Sequence, residues 1–215
     1  MGPTPIKFYI DPISPYAWLA IEQIDKIVEA GASIECRPVL LAALLNANAT
    51  KGPAEVPAKR VYVFRDVMRQ AKRLQLSFRG PPSHPFNPLP ALRTIQAVES
   101  GAQRLVLARE LCRAAWSEGI DIADVSAVRA VVERSGLDTD AIITASATPE
   151  IKQRLRSTTQ EAIDVGVFGV PTFSLSGELF WGADRIDSVI WKLQGGGIDD
   201  ALYAEALNRP ASASR

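Results

Sequence analysis

A serine stands at the junction between the first predicted strand and the first predicted helix, within the sequence FYIDPISPYAWLA. Ser14 occupies the position of a helix N-cap, and Pro15 follows at the first helical position, where proline is favoured. Ala17, three residues after the cap, cannot complete a capping box, because that motif needs an acidic or amide side chain there. The helix start could therefore receive an outside anion, with the Ser14 hydroxyl as a hydrogen-bond donor. Simple capping of the helix is the alternative role for this hydroxyl.

Other side chains that commonly take part in catalysis are scarce. The two cysteines, Cys36 and Cys112, lie far apart and form no C-x-x-C sequence. Cys112 keeps the helical period of its apolar neighbours, so we interpret it as a core residue. The one histidine, His84, lies in the proline-rich run RGPPSHPFNPLP, where a histidine is usually solvated or packs within its loop. We therefore predict no metal site, and no G-x-S-x-G sequence supports a Ser-His-Asp triad.

The composition sets limits on the class of protein. The chain has 215 residues, of which 47% are hydrophobic, so it can bury a substantial core. Lys+Arg and Asp+Glu number 24 each, so no overall charge favours nucleic acid or an acidic membrane surface. No apolar run resembles a signal peptide or a membrane span. We expect a cytoplasmic protein that binds neither nucleic acid nor membranes.

Hydrophobic periodicity predicts the elements that position Ser14. Alternation over residues 6–10 predicts a strand, helical spacing over 15–29 predicts one helix, and residues 33–39 predict a second strand. The first forty residues therefore read as a β-α-β unit. The middle of the chain is predicted to be helical, with helices at 91–99, 102–116, 126–134, 139–145 and 149–164 and a further helical pattern in PAKRVYVFRDVMRQAKRL.

The pattern changes again near the end of the sequence. VPTFSLSGELFWG predicts a β-hairpin around Ser176-Gly177, and a helix follows that Asp184 is predicted to cap. The tail ASASR is predicted to be frayed. The order of elements indicates two halves of one α/β sheet, residues 1–45 and 160–210, with helices from 46–159 inserted between them.

A thioredoxin-like fold interrupted by helices in this order resembles one family, which contains the kappa class of glutathione transferases and 2-hydroxychromene-2-carboxylate isomerase. The matching pieces are FYIDPISPYAWLA, KGPAEVPAKRVY, VFGVPTF and FWGADR, and the similarity spans nearly the whole chain. The FGVPT and WGADR pair is the specific part. The resemblance implies the α/β class, a thioredoxin-like fold interrupted by an all-helical insertion domain.

The resemblance also implies a site. Redox members of the superfamily carry C-x-x-C where this chain has Ser14-Pro15-Tyr16-Ala17, so thiol–disulfide exchange is excluded and glutathione is expected to supply a thiolate. Ser14 is the expected catalytic residue, donating a hydrogen bond to the glutathione sulfur. Val170-Pro171 is expected to be cis and to pair with the tripeptide, and Asp184 is expected to bind its γ-glutamyl ammonium. The full expected set of glutathione-binding residues is Ser14, Pro15, Tyr16, Thr50, Val170, Pro171, Trp181, Gly182, Ala183 and Asp184.

The reaction implied is the interconversion of 2-hydroxychromene-2-carboxylate and trans-o-hydroxybenzylidenepyruvate in aromatic catabolism, by reversible addition of the glutathione thiolate. A kappa-like transferase or peroxidase acting on an unknown electrophile is the alternative, and a non-catalytic thioredoxin-like binding module is a third hypothesis. The lysine and the Asn-Arg pair that hold the acid in the isomerase family have no counterparts near 43–45 and 55–56. Lys59 or Arg65, and also Arg79 or Arg93, are the candidates to replace them. The relatives also imply a homodimer.

Overall fold

A computed structural model describes residues 2–210, so the predicted frayed tail at 211–215 lies outside the described residues. Its sheet is mixed, with the strand order β2-β1-β3-β4. The strands are β1 (Thr4–Ile10), β2 (Ala32–Pro38), β3 (Thr172–Leu175) and β4 (Glu178–Trp181). β1 runs parallel to β2 and antiparallel to β3, and β4 is antiparallel to β3. The sheet thus joins an N-terminal β-α-β half to a C-terminal hairpin, as the sequence predicts.

The register of the sheet follows from local features. Phe8 of β1 pairs with Phe173 of β3, and their rings stack with centroids 4.8 Å apart in the core. Ser176 and Gly177 both have positive φ, 53° and 84°, which is the two-residue type I′ turn that suits the strand twist. The predicted hairpin is confirmed.

Residues 2–210 form eleven α-helices. They are α1 (Pro15–Ile21), α2 (Asp25–Glu29), α3 (Leu41–Ala47), α4 (Pro57–Arg73), α5 (Leu89–Ala97), α6 (Gly101–Arg113), α7 (Val125–Arg134), α8 (Thr139–Ser146), α9 (Pro149–Asp164), α10 (Ile186–Leu193) and α11 (Asp200–Leu207). Short 3-10 turns occupy Pro53–Glu55 and Ala183–Arg185, and a π turn, Ala114–Glu118, continues α6. The ends of the helices predicted in the middle of the chain are confirmed to within three residues, whereas α3 and α11 were not predicted.

The prediction of one helix over 15–29 is wrong, because the chain bends after Ile21. The amides of Gln23 and Ile24 bond to carbonyls three residues back, Ala20 and Ile21, which tightens the last turn and ends the helix. Glu22 lies at this break, and Arg113 of α6 donates to both of its carboxylate oxygens, at 2.7 and 2.8 Å. Periodicity could not reveal the break, since the apolar face continues across it.

The helices between β2 and β3 pack against the sheet half rather than standing apart from it. α6 and α9 contact β2, and α4 and α6 contact α1. The fold is therefore the thioredoxin-like α/β class with helices inserted. The boundaries at 45/46 and 159/160 stay a prediction, and α9 runs through the second without a break. Within residues 2–210, no helix is both long and apolar enough to cross a bilayer.

Candidate functional site

Ser14 caps the first helix, as its sequence position predicts. Its backbone is extended, and its Oγ accepts a hydrogen bond from the N–H of Ala17 at 3.3 Å. The same hydroxyl donates to the carbonyl oxygen of Val170 at 3.4 Å. That second bond is long for an O–H donor, so the proton is held weakly and could turn toward a stronger acceptor.

The Val170-Pro171 peptide bond is cis, as the resemblance implies, and it faces the start of α1. Val170 is buried, and its N–H finds no acceptor among residues 2–210. The carbonyl of Pro171 accepts from the N–H of Gly182 at 2.9 Å, which ties the proline to the sequence WGADR. The structure thus brings Ser14, Val170, Pro171 and Gly182 together.

The loop before Ser14 is fixed by a buried carboxylate that sequence reasoning missed. Asp11 is fully buried, and its Oδ1 accepts from the N–H of Ile13 at 3.0 Å. Its Oδ2 accepts from the N–H of Leu41 at 2.9 Å, and its backbone carbonyl accepts from the N–H of Ser14. Burial raises the pKa of the Asp11 carboxyl to about 7, against the lowering effect of the Leu41 and Ile13 amides.

Two side chains from the inserted region hold the carbonyls of this loop. The Trp116 indole donates to Pro12 at 2.9 Å, and Nε2 of His84 lies 3.1 Å from the Ile13 oxygen. A carbonyl can only accept, so Nε2 carries the proton of His84. Burial lowers the pKa of His84 below its ordinary value, which favours the neutral ring. His84 is partly buried and packs between Phe64 and Trp116, which lie outside its own loop, so the solvated alternative is wrong and the packing extends beyond the loop.

Tyr16 lies one residue further along the helix, but its hydroxyl is already engaged. It donates to Oδ2 of Asp66 on α4 at 2.9 Å. Burial and then this hydrogen bond raise the pKa of Tyr16 above its usual value, so the phenol keeps its proton. Of the two hydroxyls near the start of α1, Ser14 is the one whose proton is weakly held.

The 3-10 turn Ala183–Arg185 packs beside α1, but Asp184 does not cap the final helix. It lies in the 3-10 turn Ala183–Arg185, α10 begins at Ile186 without a side-chain cap, and Arg185 donates to the Asp184 carboxylate at 2.6 Å. The predicted cap is therefore wrong, because the chain takes a tight turn after Gly182, whose φ is 120°. The Asp184 carboxylate stays more than half exposed, and its charge is close enough to affect Tyr16. Trp181 is also exposed, with its ring edge-on to Phe168 at 4.9 Å, and Ala183 is buried.

Thr50 lies in the exposed segment just after α3. Its N–H and its hydroxyl both donate to the carbonyl of Leu45, at 3.0 and 3.5 Å. These contacts hold the segment but do not join Thr50 to Ser14, so its part in binding glutathione stays a prediction.

A groove of about 540 Å³ runs along the start of α4, and its lining residues are Ala54, Pro57, Arg60, Val61 and Phe64. Arg60 donates to the carbonyl of His84 at 3.4 Å, and its guanidinium lies 5.5 Å from the Phe64 ring centroid. No carboxylate forms an ion pair with Arg60 within residues 2–210. Lys59 and Arg65 are exposed on α4 but do not line this groove. The cation that borders it is one that sequence reasoning did not single out.

The described part of the site contains neither a cysteine thiol nor a cluster of side chains that could bind a metal ion. Cys36 and Cys112 are both buried in the core, which confirms the interpretation of Cys112, and burial raises the pKa of each thiol. Neither cysteine lies at the start of α1, so the site has no thiol of its own. Nowhere in the described part of the chain do three His, Cys, Asp or Glu side chains gather as metal ligands would. A hydroxyl, an unpaired amide and an exposed carboxylate are what the site offers a ligand.

Comparison with known proteins identifies the family. The model of the DsbA-like thioredoxin domain matches residues 5–194. The 2-hydroxychromene-2-carboxylate isomerase of Sphingobium xenophagum is 30% identical over 185 residues, covering 85% of this chain and 94% of the relative. This chain belongs to the DsbA-like thioredoxin family, in the group of that isomerase and the kappa-class glutathione transferases.

Two further relatives support the same placement. Human glutathione S-transferase kappa 1 is 26% identical over 204 residues, covering 87% of this chain and 90% of the relative. A solved structure of a 2-hydroxychromene-2-carboxylate isomerase superposes with a TM-score of 0.82 at 25% identity, covering 96% of this chain and all of that one. The family expected from the sequence motifs is confirmed, and its named members include both an isomerase and transferases.

Proposed function

We propose that this family member is a glutathione-dependent enzyme in which Ser14 stabilises the thiolate of bound glutathione. The observation that carries the proposal is the Ser14 hydroxyl, which accepts from the N–H of Ala17 and donates to the carbonyl of Val170, the residue before the cis-proline. With its oxygen already accepting from Ala17, the hydroxyl has one proton to donate. A sulfur anion placed between Ser14 and Val170 would be a stronger acceptor for it than a neutral carbonyl.

Magnitudes show why the hydroxyl is needed. Lowering a thiol pKa by about two units requires about 2.7 kcal/mol of preference for the thiolate. The terminus of a helix contributes about 0.3–1 kcal/mol. A hydrogen bond to a charged group adds about 1.5–3 kcal/mol, which closes the difference. The Ser14 hydroxyl is therefore the larger contribution.

The rest of the tripeptide is proposed to lie along the edge formed by Val170 and the WGADR segment. The unpaired N–H of Val170 suits an extended peptide that pairs like an added strand. The exposed Asp184 carboxylate suits the γ-glutamyl ammonium, and Arg185 would have to yield part of its pair with Asp184. Pro15, Tyr16, Thr50, Trp181, Gly182 and Ala183 complete the proposed cradle.

For the reaction, we propose the isomerisation of 2-hydroxychromene-2-carboxylate to trans-o-hydroxybenzylidenepyruvate. The chromene ring first opens: its hemiketal C–O bond breaks, and the proton of the 2-hydroxyl passes to the phenolic oxygen, which leaves an unsaturated ketone. The thiolate adds to this ketone, forming a C–S bond while the double bond becomes single and the carbonyl becomes an enolate. Rotation follows, and the C–S bond then breaks, which restores both the double bond and the thiolate. Glutathione is a cofactor in this reaction and is not consumed. The groove beside His84 suits a planar apolar substrate, and Arg60 offers its carboxylate a partner.

A kappa-like transferase acting on a different electrophile is the second candidate. It is favoured by the open groove and by the absence of the family's acid-holding lysine and Asn-Arg pair near 43–45 and 55–56. The same cradle serves both reactions, so only the products separate them. A cytoplasmic location and a homodimer are carried over as part of the proposal.

The deciding assay uses glutathione in catalytic amount. An isomerase converts many equivalents of the chromene acid for each glutathione, whereas a transferase consumes one glutathione per turnover with a general electrophile such as chlorodinitrobenzene. Calorimetry with glutathione provides the control. A binding module for other partners gives neither heat nor turnover, and that result would contradict the whole proposal.

A further inference from the structure

The hydrogen bonds of the buried Asp11 side chain are those of an ionised carboxylate. Each of its two oxygens accepts from a backbone N–H, Ile13 at 3.0 Å and Leu41 at 2.9 Å. A protonated carboxyl would need an acceptor for its own proton, which neither amide offers. The observed pair of bonds therefore fits the carboxylate, even though burial works against the charge.

The two amides belong to different elements. Ile13 immediately precedes Ser14, whereas Leu41 is the first residue of α3. The N-cap residue of α3, Leu40, has no capping side chain of its own. Asp11 supplies the missing acceptor for Leu41 from another part of the chain, and Thr159 of α9 accepts from the N–H of Leu40 at 3.1 Å.

Asp11 therefore connects the loop of Ser14 with the helix that leads into the segment of Thr50. We propose that Asp11 is a positioning residue for catalysis, which fixes Ser14 opposite Val170 by bonding the amides of Ile13 and Leu41 at once. This inference rests on the proposed function of Ser14. It adds that the thiolate is stabilised only while the Asp11 carboxylate holds both amides.

The surroundings of Asp11 agree with this role. Burial raises its pKa to about 7, and the two amides are the groups that oppose that rise. Its charge acts on the buried Cys112 of α6, whose thiol pKa burial raises. The carbonyls of Pro12 and Ile13 are held separately by Trp116 and His84, so Asp11 controls the N–H side of the loop alone.

Two variants test the proposal without touching Ser14. Asp11→Asn keeps the shape but presents an NH₂ group to one of the two amides, so one bond is lost. Leu41→Pro removes the Leu41 N–H itself, and proline is well tolerated at the first position of a helix. Leu40 is already extended, with φ −85° and ψ 107°, which suits a residue before proline.

Thr159→Val is the matched control. It deprives the neighbouring Leu40 N–H of its acceptor with little change of shape, and the Thr159 hydroxyl bonds to Leu40 and Leu155, not to the amides that Asp11 holds. All three variants are expected to lose thermal stability, because each leaves a buried polar group unpaired. Only the two that affect Asp11 should change the chemistry of the bound thiol.

The readouts are the ultraviolet titration of the bound glutathione thiolate, and kcat and KM in the same assay. In Asp11→Asn and Leu41→Pro, the thiol pKa should rise by roughly one pH unit and kcat should fall roughly tenfold, while KM for glutathione changes less. In Thr159→Val these values should match the wild type. Should Asp11→Asn fail to fold, Leu41→Pro decides the question.

The failures can be distinguished. If the wild type shows a stabilised thiolate and the folded Asp11→Asn and Leu41→Pro proteins show the same thiol pKa and kcat, the positioning role is overturned and the proposed function stands. The positioning role is also overturned if Thr159→Val shifts the thiol pKa as much as they do. If the wild type itself binds no glutathione thiolate, both proposals fall.

Discussion

The loop that carries Ser14 and the groove at the start of α4 meet at His84, yet they are built in opposite ways. In the loop, Ser14 is only 7% exposed, and the carbonyls and amides around it are held by buried partners. In the groove, Val61 is 64% exposed, and Arg60 has a neutral carbonyl as its polar partner. The loop of Ser14 is held by buried hydrogen bonds, and the groove is open to solvent.

The buried loop suits stabilisation of a charge during the reaction, whereas the open groove suits selection of the substrate. A preorganised hydroxyl stabilises a developing or resident charge without reorganisation when the reaction occurs. An open groove with one unpaired cation accepts ligands of several shapes and selects mainly for charge. We therefore expect changes near Ser14 to affect every reaction of the protein, and changes in the groove to affect only the choice of substrate.

The largest effect is expected from Ser14→Ala. Loss of the single donor to a catalytic anion costs roughly 10²–10³ in rate, and we expect kcat/KM to fall by that factor with every electrophile tested. Ser14→Thr, which keeps a hydroxyl, should recover part of the activity. A variant series in which alanine and threonine are equally active would show that Ser14 only caps α1.

The next effect concerns stability and pH. The Asp11 carboxyl has a pKa raised to about 7, so between about pH 4 and pH 7 the folded state binds a proton that the unfolded state has lost. The free energy of unfolding should therefore decrease as pH rises through this window, by roughly 2–4 kcal/mol in total, and level off above it.

Denaturant titrations of the wild type and of Asp11→Asn measure this directly. The difference in unfolding free energy between them should change across pH 4–7, since asparagine does not titrate. Parallel curves would mean that Asp11 does not carry the raised pKa.

A substitution in the groove is expected to have a smaller effect, limited to the binding of carboxylate ligands. Arg60→Met should weaken the binding of an aromatic carboxylate such as trans-cinnamate about tenfold, because the partner of the carboxylate is lost. Lys59→Met, one residue away on the same helix, is the control and should behave as the wild type. Calorimetry with cinnamate and its neutral amide measures the affinities. If Arg60→Met and Lys59→Met lost the same affinity for cinnamate, the effect would come from the overall positive charge of the helix and not from a contact with Arg60.

The smallest effect is expected from Asp184→Asn. The carboxylate is exposed and shared with Arg185, and exposed ion pairs contribute about 0–1 kcal/mol. KM for glutathione should therefore rise only several-fold, with kcat nearly unchanged. Asp187→Asn, on the first turn of α10, is the control. A large fall in kcat would show that Asp184 acts on the sulfur rather than on the ammonium.

The same contrast explains what the sequence could predict. The β-α-β unit, the hairpin at Ser176-Gly177 and the capping role of Ser14 depend on neighbours in the chain, so period and turn chemistry reveal them. The break after Ile21 coincides with a tertiary contact, the hydrogen bonds from Arg113 to Glu22. It left no mark in the hydrophobic period.

Some residues of the candidate site could be predicted from the sequence, and others are revealed only by the structure. Sequence motifs that match the family contain four residues that the structure brings together: Ser14, Val170, Pro171 and Gly182. Asp11 stands in the same motif, but only its burial and its bond to Leu41 reveal a role.

Arg60, Lys59 and Arg65 look alike in sequence. Which of them borders the groove depends on how α4 packs, because positions only one residue apart on a helix face different directions.

The most direct test is the titration of glutathione bound to the wild-type protein, followed by thiolate absorbance at saturating glutathione. If Ser14 stabilises the sulfur anion, the bound thiol should ionise about two pH units below free glutathione, and Ser14→Ala should remove most of that difference. A bound thiol that titrates as it does in solution, or the same lowered value in Ser14→Ala, would contradict the role given to Ser14.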